Sequence, residues 1–565
     1  MLVICNMNLQ KFYMKPNNQK ITFENRDKIV KKLCTIKGKF KLNNYQKTPY
    51  EILKYYNRLL IFHGTGSGKT CTSINICEKM KNDYEKLPLI ILGGPKLTHN
   101  YRKELKSECV GKKYNTDKKI DENYEIITFI GFLNGNYSFN NRIIIIDEIQ
   151  NLLSINSKVY KLLLQKLHSS KNYKFIIMSA TPLVDNPFEV SLLYNLLTED
   201  NVYITTDKNQ FLDYYTDIHI LQNGLKTYKL KDDAKNFFSE IFKNKVSYYA
   251  GANPLTYPLS TTIGNEHYSG YKLVLCKMSS FQKKVYKISL KHLDIGTSIF
   301  DDICTTFLLH PRSASNFVFD DGNFASLGNK SRYINSIEHN NEGIKYNLNK
   351  LGKEIFKNIK NYSCKIHTLI DNVINFSNGP VFIYSNFVEN GAGLDILEMT
   401  LQYLGYNNYF YTEKTGPKTY AIWKGMKTTK GEELRNNMLS IFNHKNNLDG
   451  SQIKILLGSP ASQEGITLKN IDSVHILEPY WNEGKMEQII ARAIRYCSHL
   501  DTPFRIVKIY KYCAVGSIDE YIYQRSFYKN LIIQECLNVL KNSAIDCKQF
   551  YNINKTLNTK LKCIS

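Results

Sequence analysis

Four short stretches in the first two hundred residues are apolar from end to end: 59–62, 89–92, 143–146 and 175–178. None alternates with polar residues, so each is expected to be a strand covered on both faces, as in a parallel sheet. Between them, 72–82 and 157–167 carry apolar residues at helical spacing. Strand and helix in alternation predict an α/β domain over residues 44–200. The pattern returns at 381–384, 453–457, 474–477 and 506–510, again with helical stretches between. A second α/β domain with a parallel sheet is therefore expected over 366–530.

The texture between the two is different. Residues 201–300 are rich in Tyr, Lys and Asp, and 312–348 are dense in Asn, Ser and Gly. The region 201–365 is expected to be a helical insertion and linker, with 312–348 as a long surface loop. A basic helical tail is expected over 531–565, and a basic arm over 1–43. Residues 1–47 hold eleven Lys or Arg against Glu24 and Asp27, a local charge of +9. Both a nucleic-acid-contacting arm and a solvated helical face fit that charge.

Composition narrows the class. At 565 residues the chain exceeds one core, and 43% hydrophobic with 22% charged residues is a globular balance. The 75 Lys and Arg exceed the 51 Asp and Glu by 24. That excess favours a polyanionic partner, most simply nucleic acid. The 13 cysteines are scattered, with no Cys-x-x-Cys pair. Free thiols are expected, and a zinc ribbon or finger is not. The apolar N-terminus ends after five residues at Asn6, and no stretch approaches a membrane span. His63, His99, His310 and His499 are scattered and are read as structural.

The chemistry begins behind the first strand, at His63-Gly64-Thr65-Gly66-Ser67-Gly68-Lys69-Thr70. Glycines let backbone N–H groups close around phosphate oxygens, and the helix that follows adds its positive dipole end. Lys69 is then the candidate for the β- and γ-phosphates, and Thr70 for Mg²⁺. His63 stands where the strict phosphate-loop pattern has glycine. The third strand ends in Asp147-Glu148-Ile149-Gln150. Asp147 is placed to hold Mg²⁺ and Glu148 to polarise an attacking water. Ser179-Ala180-Thr181 follows the fourth strand, a position from which small hydroxyl residues can couple the carboxylates to a neighbouring domain.

In this order and spacing the motifs resemble helicase superfamily 2. On that resemblance Gln46, 23 residues before Lys69, corresponds to an adenine-recognising glutamine, and Gly93-Gly94-Pro95-Lys96 to a strand-binding motif. Gly458 to Ile466, with Gly465, resembles the motif that touches both nucleic acid and nucleotide. Gln488-Ile489-Ile490-Ala491-Arg492-Ala493-Ile494-Arg495 has the spacing of the last motif. On a helix Arg492 and Arg495 would share a face and reach a γ-phosphate as arginine fingers, worth on the order of 10³–10⁵ in rate. Gln150 departs from the histidine of many relatives, which implies altered coupling with hydrolysis retained.

His63 before Gly64, together with Lys245 to Tyr249, Met278 to Gln282, Phe382 to Phe387, Arg492 to His499 and Ser517 to Glu520, narrows the resemblance to poxvirus nucleoside triphosphatase I and the ATPase subunit of the early transcription factor. These are Snf2-like ATPases of large cytoplasmic DNA viruses. The resemblance implies two RecA-like domains facing an ATP cleft, with ATP and Mg²⁺ bound. It implies a DNA-dependent ATPase in transcription of a cytoplasmic viral element, partnered by RNA polymerase or transcription factor subunits. The expected location is the cytoplasmic viral factory, with packaging in the virion as a further option, and no membrane partner. The alternatives are an RNA helicase and a polymerase-bridging factor with secondary ATPase.

Overall fold

The computed structural model describes residues 31, 34 and 42–545, apart from 201, 252–255, 291–297, 301–307, 341, 390–391, 425–428, 464–465 and 503–504. Most of the expected arm and the tail beyond 545 thus lie outside the described residues.

The apolar stretches form strands with both faces covered. In the first lobe these are β1 (Arg58–His63), β2 (Leu89–Leu92), β3 (Glu125–Thr128), β4 (Arg142–Asp147) and β5 (Tyr173–Ser179). A hairpin of β6 (Thr216–Ile220) and β7 (Lys226–Leu230) precedes β8 (Val246–Tyr249). The sheet runs β3-β2-β4-β5-β1-β8, parallel throughout. Alternate side chains leave by opposite faces. Leu60, Phe62, Ile144, Ile146, Phe175 and Ile177 enter one core, and Leu59, Ile61, Ile143, Ile145, Ile176 and Met178 enter the other. Because the strands are parallel, their C-terminal ends share one edge. His63, Asp147 and Ser179 therefore come from three adjacent strands, at the edge where open α/β sheets place ligands.

The second lobe holds β9 (Leu259–Ile263), β10 (Asn265–Glu266), β11 (Lys272–Cys276), a hairpin of β12 (Ile334–Asn340) and β13 (Gly343–Leu348), β14 (Val381–Tyr384), β15 (Asn407–Asn408), β16 (Gly416–Trp423), β17 (Ile453–Gly458), β18 (Ser473–Ile476) and β19 (Ile506–Ala514). Its sheet runs β10-β11-β19-β18-β14-β17-β16-β15, with β9 also on β19. All pairs but β10–β11 are parallel.

Two expectations meet a different structure. The Asn-rich stretch 312–348 is not a long loop. It holds part of the helix Leu309–Asn316, short 3₁₀ turns and the β12–β13 hairpin. Phe317, Val318, Phe319 and Tyr333 anchor it in the second-lobe core, and Asn329 caps one of its turns. Likewise, 201–365 is not purely helical, because β8 completes the first sheet and β9 to β11 extend the second.

A 25-residue helix, Ile518–Asn542, crosses from one lobe to the other. At its start Asp519 and Lys365 form an ion pair of 2.6 Å, both fully buried. Asp519 also accepts the Ala514 N–H and a bond from Ser315. Its second half places Ile532, Ile533, Cys536, Leu537, Val539 and Leu540 in the first-lobe core. Burying a large aliphatic side chain contributes about 1.5–3 kcal/mol, so the helix is held firmly at both ends. Among the described residues no helix is long and apolar enough to cross a membrane.

Candidate nucleotide site

The phosphate loop leaves β1 and turns into the helix Lys69–Met80 through Gly68, whose φ of 75° is left-handed. Gly64 is required by crowding, since a Cβ there would lie 2.5 Å from the Ala250 carbonyl. Lys69 Nζ donates to the His63 carbonyl at 3.1 Å, which keeps the ammonium over the loop. The imidazole of His63 points elsewhere. It is fully buried, its Nε2 pairs with Ser247 Oγ at 3.0 Å, and burial pushes it down to about 3, so it is neutral. His63 thus ties β1 to β8, and only its backbone meets the loop.

Gln46 is buried beside Gly68. Its Nε2 donates to the Ser67 carbonyl at 3.4 Å, and its Oε1 accepts the Asn43 N–H at 2.9 Å, capping the helix Asn44–Leu53.

At the end of β4, Asp147 Oδ1 accepts the N–H of Glu148 at 3.0 Å. Burial and the adjacent Glu148 push the Asp147 carboxyl up to about 7, against the opposing pull of Lys69. Glu148 has φ 56° and ψ 52°, left-handed values that cost a non-glycine residue on the order of 1–2 kcal/mol. From it runs a chain of side chains. Gln150 Nε2 donates to Glu148 Oε2 at 2.7 Å, Ser179 Oγ donates to Gln150 Oε1 at 2.7 Å, and Ser179 Oγ accepts the Thr181 N–H at 2.9 Å. A glutamine can do this because its amide carries a donor and an acceptor on one planar group. Ala180 is the small spacer between the two hydroxyl residues. All-oxygen donors at Thr70 and Asp147 suit a hard divalent cation such as Mg²⁺, which would also restore the charge of a carboxyl raised by burial.

From the second lobe, Asn482 caps the helix Glu483–Ile490, which carries Gln488. The helix ends at Ile490, so Arg492 and Arg495 do not share a helical face as their spacing predicts. Beyond Ile490 the bonds tighten, with the Arg492 N–H on the Ile489 carbonyl and the Ala493 N–H on the Ile490 carbonyl, both at 3.0 Å. The Arg492 carbonyl is taken at 2.9 Å by the N–H of Leu468. Arg495 donates from Nη1 to the Thr467 hydroxyl. The two arginines stand in turns braced by the segment after β17. Gly465 lies outside the described residues.

The halves meet. The Cβ that Gly66 lacks would sit 3.5 Å from the Cβ of Tyr496, the residue after Arg495. On a neighbouring face, Lys96 at the start of the helix Pro95–Leu105 lies 5.9 Å from the Trp423 ring, and Arg435 lies 4.8 Å from it. Trp423 Nε1 donates to the Ala461 carbonyl at 3.3 Å, joining β16 to the segment after β17.

Sequence reasoning overlooked several of these residues. Trp423 carries no motif spacing, although it is one of only two tryptophans, and Ser247 lies within the Lys245 to Tyr249 stretch without a role of its own assigned there. Glu189 was also overlooked. Its buried carboxylate accepts the N–H groups of Val184, Asp185 and Asn186 and so holds the turn after Thr181, while burial pushes it up to about 8. The expectation of free thiols holds among the described residues for Cys77, Cys276, Cys364, Cys513 and Cys536 and is corrected for four others. Cys71, next to Thr70, is disulfide-bonded to Cys109, and Cys34 to Cys497. Sequence separations of 38 and 463 residues give no hint of either pair.

Two family patterns match the chain, one described as "Type III restriction enzyme, res subunit" over residues 39–184 and one as "Helicase conserved C-terminal domain" over 364–497. The chain is 33% identical to the "Putative ATP-dependent RNA helicase R563" of Acanthamoeba polyphaga mimivirus, over 90% of this chain and 88% of that one. It is 28% identical to the nucleoside triphosphatase I of Melanoplus sanguinipes entomopoxvirus, over 80% and 69%. It is 25% identical to the termination factor NPH-I homolog of African swine fever virus, over 86% and 76%.

Proposed function

The chain belongs to the superfamily 2 helicase/ATPases, in the group resembling poxvirus nucleoside triphosphatase I, and from that premise we propose that it is a DNA-dependent ATPase that translocates on duplex or single strands during viral transcription. ATP hydrolysis dependent on nucleic acid is the activity of the class. The observation that supports a nucleotide site shared by both lobes is the meeting of Gly66 with Tyr496, the residue after Arg495.

In this reading the backbone of residues 64–68 and Lys69 hold the β- and γ-phosphates, with Gln46 at the adenine. Thr70 and Asp147 would hold Mg²⁺, which would supply charge neutralisation on the phosphates. Glu148 takes the proton of the attacking water, and its left-handed backbone fixes where the carboxylate points. Gln150 orients that carboxylate and joins it to Ser179 and Thr181. Arg492 and Arg495 stabilise charge on the transferred group, and Gln488 and Gly465 contact the nucleotide from the same lobe. Lys96 and Arg435, whose charged ends lie by the buried Trp423 ring, are the candidates to hold a phosphate backbone without reading bases. Hydrolysis removes the group that joins the lobes, so each cycle opens and closes that grip.

A role in transcription is favoured by the name of the African swine fever virus relative, a termination factor homolog, and RNA polymerase or transcription factor subunits in the viral factory are the partners this reading proposes. The name of the mimivirus relative favours a second reading, an RNA helicase. Steady-state ATP hydrolysis measured alone, with duplex DNA, with single-stranded DNA and with RNA separates them. Stimulation by DNA supports the translocase, and stimulation by RNA alone supports the helicase. No hydrolysis under any condition removes both.

A further inference from the structure

On either side of residues 252–255, the chain that joins the two sheets lies against the phosphate loop. Leaving β8, the Tyr249 carbonyl accepts the Gly64 N–H at 2.8 Å, and the Ala250 backbone packs on Gly64. Farther along, the Tyr257 hydroxyl donates to the Thr65 carbonyl at 3.0 Å. Its neighbour Thr256 accepts the N–H of Cys497 at 2.8 Å, two residues beyond Arg495. The Tyr257 oxygen lies 3.5 Å from where a Cβ of Gly66 would sit. A second tyrosine acts on the same loop from within the first lobe. The Tyr45 hydroxyl donates to the Ser67 carbonyl at 3.1 Å, and its ring stacks on Tyr249 at 3.6 Å and 4°.

A trans peptide unit is planar, with its C=O and the following N–H on opposite sides. A donor that holds the Thr65 carbonyl outward therefore turns the Gly66 N–H inward. Tyr45 and Gln46 on the Ser67 carbonyl do the same for the Gly68 N–H. Inward N–H groups are what such a loop offers a phosphate. The two tyrosines differ in what they stand on. Tyr45 belongs to the first lobe alone, whereas Tyr257 sits on the interlobe connector and is tied through Thr256 to the loop that carries Arg495.

We propose that Tyr257 is a positioning residue that makes the phosphate-binding shape of the loop depend on the second lobe, so that nucleic acid drawing the lobes together raises affinity for nucleotide. The proposal rests on the nucleotide-site reading above and adds the route by which the second lobe is felt at the phosphates. Tyr45 serves the loop whatever the lobes do.

The test is binding of a non-hydrolysable ATP analogue to the full chain, with and without saturating nucleic acid (a DNA duplex in one arm, single-stranded RNA in another). Wild type is expected to bind the analogue more tightly with whichever nucleic acid stimulates hydrolysis. Tyr45→Phe is expected to weaken binding by about 3- to 10-fold in both states, the loss of one hydrogen bond. Tyr257→Phe, which keeps the ring and removes only the hydroxyl, is expected to bind equally with and without nucleic acid, and to raise KM for ATP with kcat unchanged. Tyr257→Phe that keeps the wild-type increment, or that mirrors Tyr45→Phe, overturns the proposal. A wild type that hydrolyses ATP but shows no increment overturns this proposal alone. A wild type that binds no nucleotide removes the nucleotide-site reading and this proposal with it.

Discussion

The two halves of the site are built on different principles. In the first lobe Lys69, Glu148, Gln150 and Ser179 stand at or just past the ends of buried parallel strands and are bonded within that lobe, Lys69 to His63 and Gln150 to Glu148 and Ser179, while Gln46 reaches the loop from the helix Asn44–Leu53. In the second lobe Arg492 and Arg495 stand in turns, and their bracing comes from Leu468 and Thr467 across the chain. One half is held at strand ends. The other is held in turns bonded within its own lobe, and the two meet where Gly66 approaches Tyr496.

Breaking the half held at strand ends has the largest expected effect. Lys69→Ala is expected to lower both nucleotide binding and hydrolysis, the latter by at least about 100-fold, since it removes a charge that acts on ground and transition states alike. Parallel measurement of analogue affinity and kcat checks this. The link between the lobes comes next. Asp519→Asn leaves Lys365 buried without its counter-charge and is expected to cost about 3–5 kcal/mol, read as a shift of the denaturation midpoint.

How much of this contrast was legible follows the same divide. The four-residue apolar stretches of β1, β2, β4 and β5 announce buried strands, and the chemistry at their ends could be read at once. The strands β3, β8 and β16 escaped, because Glu125, Ser247, Lys418 and Thr419 break up their apolar character. The spacing of Arg492 and Arg495 identified the residues but not their conformation. The helix ends at Ile490, and two residues on a tertiary bond from Leu468 claims the Arg492 carbonyl, which no local pattern encodes. The Asn-rich stretch misled for a related reason. Asparagines that cap turns look like loop residues, while the few aromatics that bury the segment are outnumbered.

Smaller effects sharpen the comparison. Gln150→Ala cuts the chain from Glu148 to Ser179 and is expected to lower nucleic-acid-stimulated hydrolysis by about 10-fold, less than the roughly 10²–10⁴ of a lost general base because Glu148 itself remains. Hydrolysis without nucleic acid is expected to fall less, and the ratio of the two rates is the readout. The last prediction concerns pH. The Asp147 carboxyl is raised to about 7 in the fold against about 4 in an unfolded chain. Its neutral form is therefore favoured by folding, and the stability it contributes is present below about pH 4 and is lost as pH rises to about 7. With a chelator present, the melting temperature of wild type is expected to fall over that window more steeply than that of Asp147→Asn. Added Mg²⁺ is expected to reduce the difference.

The proposed site needs residues of both lobes. Arg495→Ala tests it most directly, with analogue affinity and single-turnover hydrolysis measured on the same protein in the presence of nucleic acid. The account predicts affinity within a few-fold of wild type and hydrolysis slower by on the order of 10³. Hydrolysis at the wild-type rate would contradict it, because the first lobe would then be sufficient alone.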